Sequence, residues 1–342
     1  MTIETFKLDN GEEFKIDTSL PEFKAYERAA EQVGISKKDD SFFFARNLEF
    51  IRQQVFKPKY AELKLLNGGL LPINSAIPEG AETDTYDTLD SAGEAAVVAD
   101  FADDIKTVEV FGAQVTNGIK SIATSYLYSV QDLRRDKMLG QVGRSSVENK
   151  ALAARRALDQ KIEKMLGFGD SAFGIKGMFN AASVPSAAAA ATGSGSTTTW
   201  STKTAANILA DVEEAINDMI DLTGGNEIPN TMLVDATNYH LIRKKALDTT
   251  MYSGKSILKY IEEEYNLKVE WVQQLKNGFV SGTKSGFVLY NNAQDKLEGV
   301  LPIRLMPHAP QVKNLATKNI LEARCGGVRA FYPYSLSYTT GI

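Results

Sequence analysis

One cysteine, Cys325, and two histidines, His240 and His308, leave this 342-residue chain few of the side chains that enzymes use most. A lone thiol excludes an internal disulfide framework, and its expected place is a small, buried core position. Two imidazoles without paired cysteines or a His-Glu-x-x-His spacing exclude the usual zinc sites. A Ser-His-Asp triad would need one of those histidines beside a Gly-x-Ser-x-Gly elbow, and the chain has no such elbow. Gly254-Lys255-Ser256 ends like a phosphate-binding loop, but Thr249 stands where its first glycine belongs, and no strand-like segment precedes it. No Gly-x-Gly-x-x-Gly occurs, so neither a catalytic residue nor a cofactor or metal site is expected. No apolar run approaches the ~20 residues of a membrane span, and Met1-Thr-Ile-Glu-Thr-Phe-Lys7 has neither the basic nor the apolar region of a signal peptide. Basic excess is missing too. The net charge is -5, which argues against gripping nucleic acid as the main task.

What the chain does have is length for two compact units and 43% hydrophobic residues for their cores. The most structured stretch is 125–180. Ser125-Tyr-Leu-Tyr-Ser-Val130 reads as a strand. Ser145-x-x-Glu148 reads as a capping box, in which Ser caps an orphan amide and Glu reaches back. Val147, Ala151, Ala154, Leu158, Ile162 and Met165 follow at spacings of three and four, which predicts one buried stripe on a long helix over about 145–166. Gly167 and Gly169 are expected to stop it. Gly174-x-x-Gly177-x-x-Asn180 comes next.

This order of strand, long helix, Gly-Phe-Gly-Asp and Gly-x-x-Gly-x-x-Asn resembles the major capsid proteins of tailed bacteriophages, the Hong Kong 97 fold. The resemblance implies an α+β architecture with an N-terminal arm (1–40), an extended loop (79–118), and a peripheral domain in three pieces (41–78, 119–185 and 312–342). The long helix is its spine. An axial domain (186–311) completes the set. The closing residues Gly326-Gly-Val-Arg-Ala-Phe-Tyr-Pro333 also resemble the family's last strand.

The charge pattern has its own meaning. Between Lys64 and Lys106 there is no Lys or Arg, and the second half of that gap holds Glu79, Glu82, Asp84, Asp87, Asp90, Glu94, Asp100, Asp103 and Asp104. Tyr86, Leu89, Val97, Val98 and Phe101 interrupt them. Such a stretch cannot bury itself. A calcium loop would need ordered acids and a central glycine, which are absent. Val108-Glu-Val110 and Gln114-Val-Thr116 then read as strand. The region after it is basic, with Arg134, Arg135, Arg155 and Arg156 among its cations. Sign-matched contact between copies is one reading of this separation; an ordinary solvated helical face is the other. The resemblance assigns Asp84, Tyr86, Asp87, Asp90 and Glu94 to a loop lying across a neighbour, with Arg134, Arg135, Arg155 and Arg156 as candidate partners.

Elsewhere, Phe6, Leu8, Phe14 and Ile16 alternate around Asn10-Gly11, which predicts a hairpin. Helices are expected from Pro21 to Val33 and over 41–57. Residues 181–199 are low in complexity, through Ala187 to Ala191 and Thr192-Gly-Ser-Gly-Ser-Thr-Thr-Thr199, and read as a linker at a domain boundary. After it, a helix through Ala205, Ile208, Val212, Ile216 and Met219 ends at Thr223-Gly-Gly225. Strands at Thr231–Val234, Leu267–Val272, Gly286–Tyr290 and Leu301–Met306 alternate with helices from Asn238 to Ala246 and Ser256 to Tyr265. Strands at Ile320–Arg324 and Val328–Tyr332 close the chain.

The function implied is a shell protein assembled in the bacterial host cytoplasm into hexamers and pentamers of a virion head. It would enclose double-stranded DNA without reading its sequence. A portal and scaffolding or decoration proteins would be further partners, and no membrane is expected. Two alternatives are an encapsulin-type bacterial compartment and a soluble two-domain α/β enzyme or ligand-binding protein.

Overall fold

A computed structural model describes residues 3–7, 13–17, 59–95, 97, 106–139, 145–248, 252, 254–276 and 285–342. The chain divides into two units, Met1–Pro58 and Lys59–Ile342. In the first, β1 (Ile3–Lys7) and β2 (Glu13–Asp17) pair antiparallel with Phe6 opposite Phe14. The helices expected over 21–33 and 41–57 lie outside the described residues.

The second unit opens with a one-turn helix α1 (Lys64–Asn67), a short β3 (Ile73–Asn74) and two ten-residue strands, β4 (Thr83–Ala92) and β5 (Glu109–Gly118). β6 (Lys120–Ser129) runs straight into helix α2 (Val130–Leu139). The strand expected over 125–130 is thus the end of a longer one, and Gln131 to Leu133 belong to the helix. Its first turn is locked both ways: Ser129 Oγ accepts from Asp132 N, and Asp132 Oδ2 accepts from Ser129 N.

The spine is α3 (Ser146–Phe168). Ser145 caps it by accepting from Glu148 N at 3.2 Å. Asp136 at the end of α2 adds a second cap. Its carboxylate accepts from Ser146 N, Val147 N and Ser145 Oγ, so the helix begins where α2 leads it. These bonds hold the Asp136 carboxyl below its ordinary range, the one from Ser146 foremost. Ala154, Leu158, Ile162 and Met165 are buried, while Val147 and Ala151 are half-buried. Gly167 does not stop the helix. It lies in the last turn, where a Cβ would collide with Gln274 and Phe179, and Gly169 at φ 69° ends it. The Gly-x-x-Gly-x-x-Asn run then closes against the helix end. Asn180 Oδ1 accepts from Gly177 N at 2.7 Å and Asn180 Nδ2 donates to Phe168 O at 2.8 Å.

β7 (Ser186–Ala188), α4 (Ala205–Leu222), β8 (Thr231–Val234), α5 (Ala236–Lys244), α6 (Ile257–Glu264), β9 (Lys268–Trp271) and β10 (Gly286–Tyr290) follow. The chain ends with β11 (Leu297–Val300), β12 (Ile303–Pro307), β13 (Gln311–Lys313), β14 (Ala316–Cys325), β15 (Gly327–Ala330) and β16 (Leu336–Thr340).

Two larger sheets organise most of these elements, beside a three-stranded sheet in the order β15-β11-β3. One is five-stranded, in the order β7-β16-β10-β8-β9. Its strands β8 and β10 are buried along their whole length, the mark of a sheet covered on both faces. Leu233, Val288, Tyr290, Leu336 and Tyr338 join a core with Leu158, Ile162 and Met165 of the spine. Met232, Val234, Phe287 and Leu289 join a second core with Ile208, Val212 and Ile216 of α4. The expected linker over 181–199 is therefore only partly a loop. Ser186–Ala188 forms the edge of this sheet, and Ala189 and Trp200 are buried. The last strand, β16, pairs with β10 and β7, so residues 336–340 lie in a sheet shared by both cores.

The other sheet centres on β14, with β6 on one side and β12 and β13 on the other. Leu321, Ala323 and Cys325 of β14 are buried, and Ala323 and Cys325 share the core of Leu158 and Ile162. Burial pushes the Cys325 thiol up to about 11, which leaves it inert.

Candidate functional site

The β4–β5 hairpin is a long two-stranded ribbon that belongs to neither core. The strands pair in unbroken register from Thr83–Gly118 to Ala92–Glu109. Near the root one face is half-buried, through Asp84, Tyr86 and Thr88, opposite Asn117 and Val115. Beyond it both faces are open. Leu89 is 77% exposed, Val110 66% and Phe111 55%, although a lone two-stranded ribbon is marginal in water. Large apolar side chains on both faces of an uncovered ribbon mark a surface meant to be covered.

The root is fastened by the C-terminal strands. Arg329 Nε lies 3.2 Å from Asp84 Oδ2, and Arg329 Nη1 donates to Gly326 O at 2.6 Å. The Arg329 guanidinium is almost wholly buried, and desolvation lowers its basicity. Arg324 donates to the carbonyls of Glu79 and Ala81. The Tyr86 ring packs edge-on against Phe331 with centroids 4.9 Å apart.

The acids singled out in the sequence therefore have different fates. Asp84 and Tyr86 are engaged within their own chain. Asp87 accepts from Gln114 Nε2 across the hairpin, Asp90 accepts from Ser91 N, and Glu94 pairs with Lys106. All three are exposed. Of the bases, Arg134 and Arg135 lie on α2 and Arg155 and Arg156 on the spine. Arg135 pairs weakly with Asp132, Arg155 sits 4.0 Å from Asp159, and Arg156 lies over the Tyr60 ring. Arg134 is exposed and has no ion-pair partner among the described residues. No ion pair joins these acids to these bases within the chain, among the described residues.

Arg324, Arg329 and Phe331, which set the hairpin's direction, escaped the sequence reading. Their signal was present: charged residues inside an otherwise apolar closing strand need buried partners. Glu163 is a second such case. It lies on the buried face of the spine and accepts from Leu65 N and Leu66 N, pinning α1 to the helix, and burial raises its carboxyl. Among the described residues no group of three or more His, Cys, Asp and Glu side chains could hold a metal, and no helix is long and apolar enough to cross a membrane.

A search of curated sequences found no match. The solved capsid of Myoviridae phage XM1 is similar in fold, with a TM-score of 0.75 at 15% identity, over 89% of this chain and all of that one. A protein of Mycobacterium phage Ogopogo matches at TM-score 0.55 and 13% identity, over 88% of this chain and 99% of that one. The mature capsid of bacteriophage PhiM1 matches at 0.54 and 12%, over 85% and 90%. Residues 93–342 match the sequence family described as major capsid protein. That span takes in β5 and every later element, and on it the chain belongs to the major capsid protein family, the shell-forming structural proteins of tailed-phage virion heads.

Proposed function

We propose that the chain assembles into hexamers and pentamers of an icosahedral head, with the β4–β5 hairpin as the extended loop that lies across a neighbouring subunit. The observation that carries this is the hairpin itself, whose Leu89, Val110 and Phe111 are exposed and find no cover among the described residues of their own chain. Residues 1–40 serve as the arm, the spine helix and the β14 sheet as the peripheral domain, and α4 to α6 with their sheet as the axial domain. Asp87, Asp90 and Glu94 present negative charge to a neighbour's Arg134 and its basic surroundings. Asp84 and Tyr86 act one step back, by setting the hairpin's direction through Arg329 and Phe331.

The mechanism is geometric. Each contact is weak, but every copy is held by several neighbours at once, so modest interactions sum to a stable shell. The rigid part is the doubly covered sheet with the spine, and the adaptable part is the hairpin beyond its root. Double-stranded DNA is confined inside and not read, a portal occupies one vertex, and catalysis plays no part. Negative-stain microscopy of the purified chain tests this, with closed shells or ring-shaped capsomers expected. A compact monomer by light scattering at high concentration in every buffer would overturn it.

A further inference from the structure

The β14 sheet has two outer edges, and they are built differently. On one side β12 breaks register between Ile303 and Met306 and ends at Pro307, and β13 is only three residues long. Short strands, bulges and prolines are the devices that keep an edge from recruiting another strand. The edges of the five-stranded sheet are short as well, three residues in β7 and four in β9. The opposite edge, β6, has none of these devices. It is ten residues long, has no proline, and pairs with β14 in unbroken register.

The direction of its backbone groups follows from one hydrogen bond. Val130 N donates to Leu315 O, continuing the β6–β14 register. In an antiparallel pair the bonded residues alternate, so the even-numbered residues of β6 face β14. The odd-numbered residues Ser121, Ala123, Ser125 and Leu127 then turn both N–H and C=O outward. Their side chains are exposed, and three of the four are small enough to let another backbone approach. Among the described residues no strand pairs with this edge.

We infer that the outer edge of β6 is a strand-addition site, filled by β4 of a second copy of this chain. The inference rests on the shell reading above. β4 matches it in three ways. It is also ten residues long. Ile119 N donates to Glu82 O, so by the same alternation Thr83, Thr85, Asp87 and Leu89 turn their backbone groups away from β5. And β4 carries Asp87 and Asp90, while β6 has Lys120 at one end and α2, with exposed Arg134 and Lys137, at the other. The β4–β5 ribbon thereby gains the sheet it lacks, and the one long unguarded edge of the β14 sheet is closed. Backbone bonds supply the contact, and charge selects strand and neighbour.

Hydrogen exchange on the unmodified chain tests this, comparing free subunits with assembled particles. The amides of Ser121, Ala123, Ser125 and Leu127, and of Thr83, Thr85, Asp87 and Leu89, should each slow by roughly tenfold or more in the particle. Particles in which the β6 amides exchange at the free-subunit rate would overturn the site alone. Slowing in β6 without slowing in β4 would overturn β4 as its occupant. Failure of the unmodified chain to form particles at all would overturn the shell reading and this site with it. Ala123→Pro gives a second readout. Its N–H is unused by the β6–β14 ladder, so the variant should melt near the parent temperature yet form no particles. Normal particles from a folded Ala123→Pro chain would count against the site.

Discussion

The spine helix and the β4–β5 hairpin use their apolar residues in opposite ways. On the spine, Leu158 and Ile162 are buried between the β14 sheet and the five-stranded sheet. On the hairpin, Leu89 and Phe111 stand in solvent. Burial within the chain makes a residue a determinant of folding, and burial available only between chains makes it a determinant of assembly. Composition alone does not separate the two, since both segments mix aliphatic and charged residues. The difference lies in whether a second layer of the same chain reaches them.

The strongest way to break this comparison is to truncate one residue on each side. Leu158→Ala should lower folding stability by about 2–5 kcal/mol, because the site is fully packed. Phe111→Ala should leave the melting temperature of the free subunit unchanged and reduce particle yield. Equal effects of the two variants on melting would show that the hairpin has a cover within its own chain.

Next in size is the root of the hairpin. Arg329→Met removes the partner of Asp84 and the bond to Gly326 O, and should cost about 1–3 kcal/mol. It should also free the hairpin to point elsewhere. Faster amide exchange confined to residues 83–88 and their partners on β5 is the expected signature. Unchanged exchange there would mean that the Tyr86–Phe331 contact holds the root unaided.

The charge comparison is sharpened by separating Asp84 from the outer acids. Replacing Asp87, Asp90 and Glu94 by Asn or Gln should leave folding within about 1 kcal/mol of the parent, since exposed charges contribute little each. Assembly, which repeats these contacts many times over, should lose its salt sensitivity. Asp84→Asn should instead act on folding, through Arg329. Assembly with unchanged salt dependence in the triple variant would leave those acids as plain solvated surface.

The smallest expected effect concerns acid at the start of the spine. The Asp136 carboxyl is held below its ordinary value by bonds from Ser146 N, Ser145 Oγ and Val147 N. A depressed folded value means that its stabilisation is present above the ordinary aspartate range. It is lost as pH falls through the folded value. Amides of Ser146 and Val147 should therefore open on acidification, ahead of global unfolding, and Asp136→Asn should abolish that pH dependence. A first turn of α3 equally closed across that range in the parent would refute the second cap.

Much of this was legible in one dimension. The spine stripe, the Ser145 cap, the Thr223-Gly-Gly225 stop and the strands at 231–234 and 286–290 follow from periodicity and local chemistry, which do not depend on distant residues. Gly167 was misread because a glycine is wanted there for close approach by Gln274 and Phe179, not for a left-handed turn. The 181–199 segment was misread because Ala and Ser lack the bulk that announces a strand. An edge beside β16 needs only backbone there.

The sequence by itself determined the longer helices and the buried strands, and the sign separation between the hairpin and the helices after it. Those properties reside in spacing and composition. The tertiary structure alone decided which residues share a face across long separations. It placed Arg329 on Asp84 and Glu163 on Leu65 and Leu66. It set β16 beside β10 and, among the described residues, left β6 with an open edge. Hydrogen bonds and packing between segments far apart in sequence carry no periodic trace in the chain, so they become readable only once the sheets have formed.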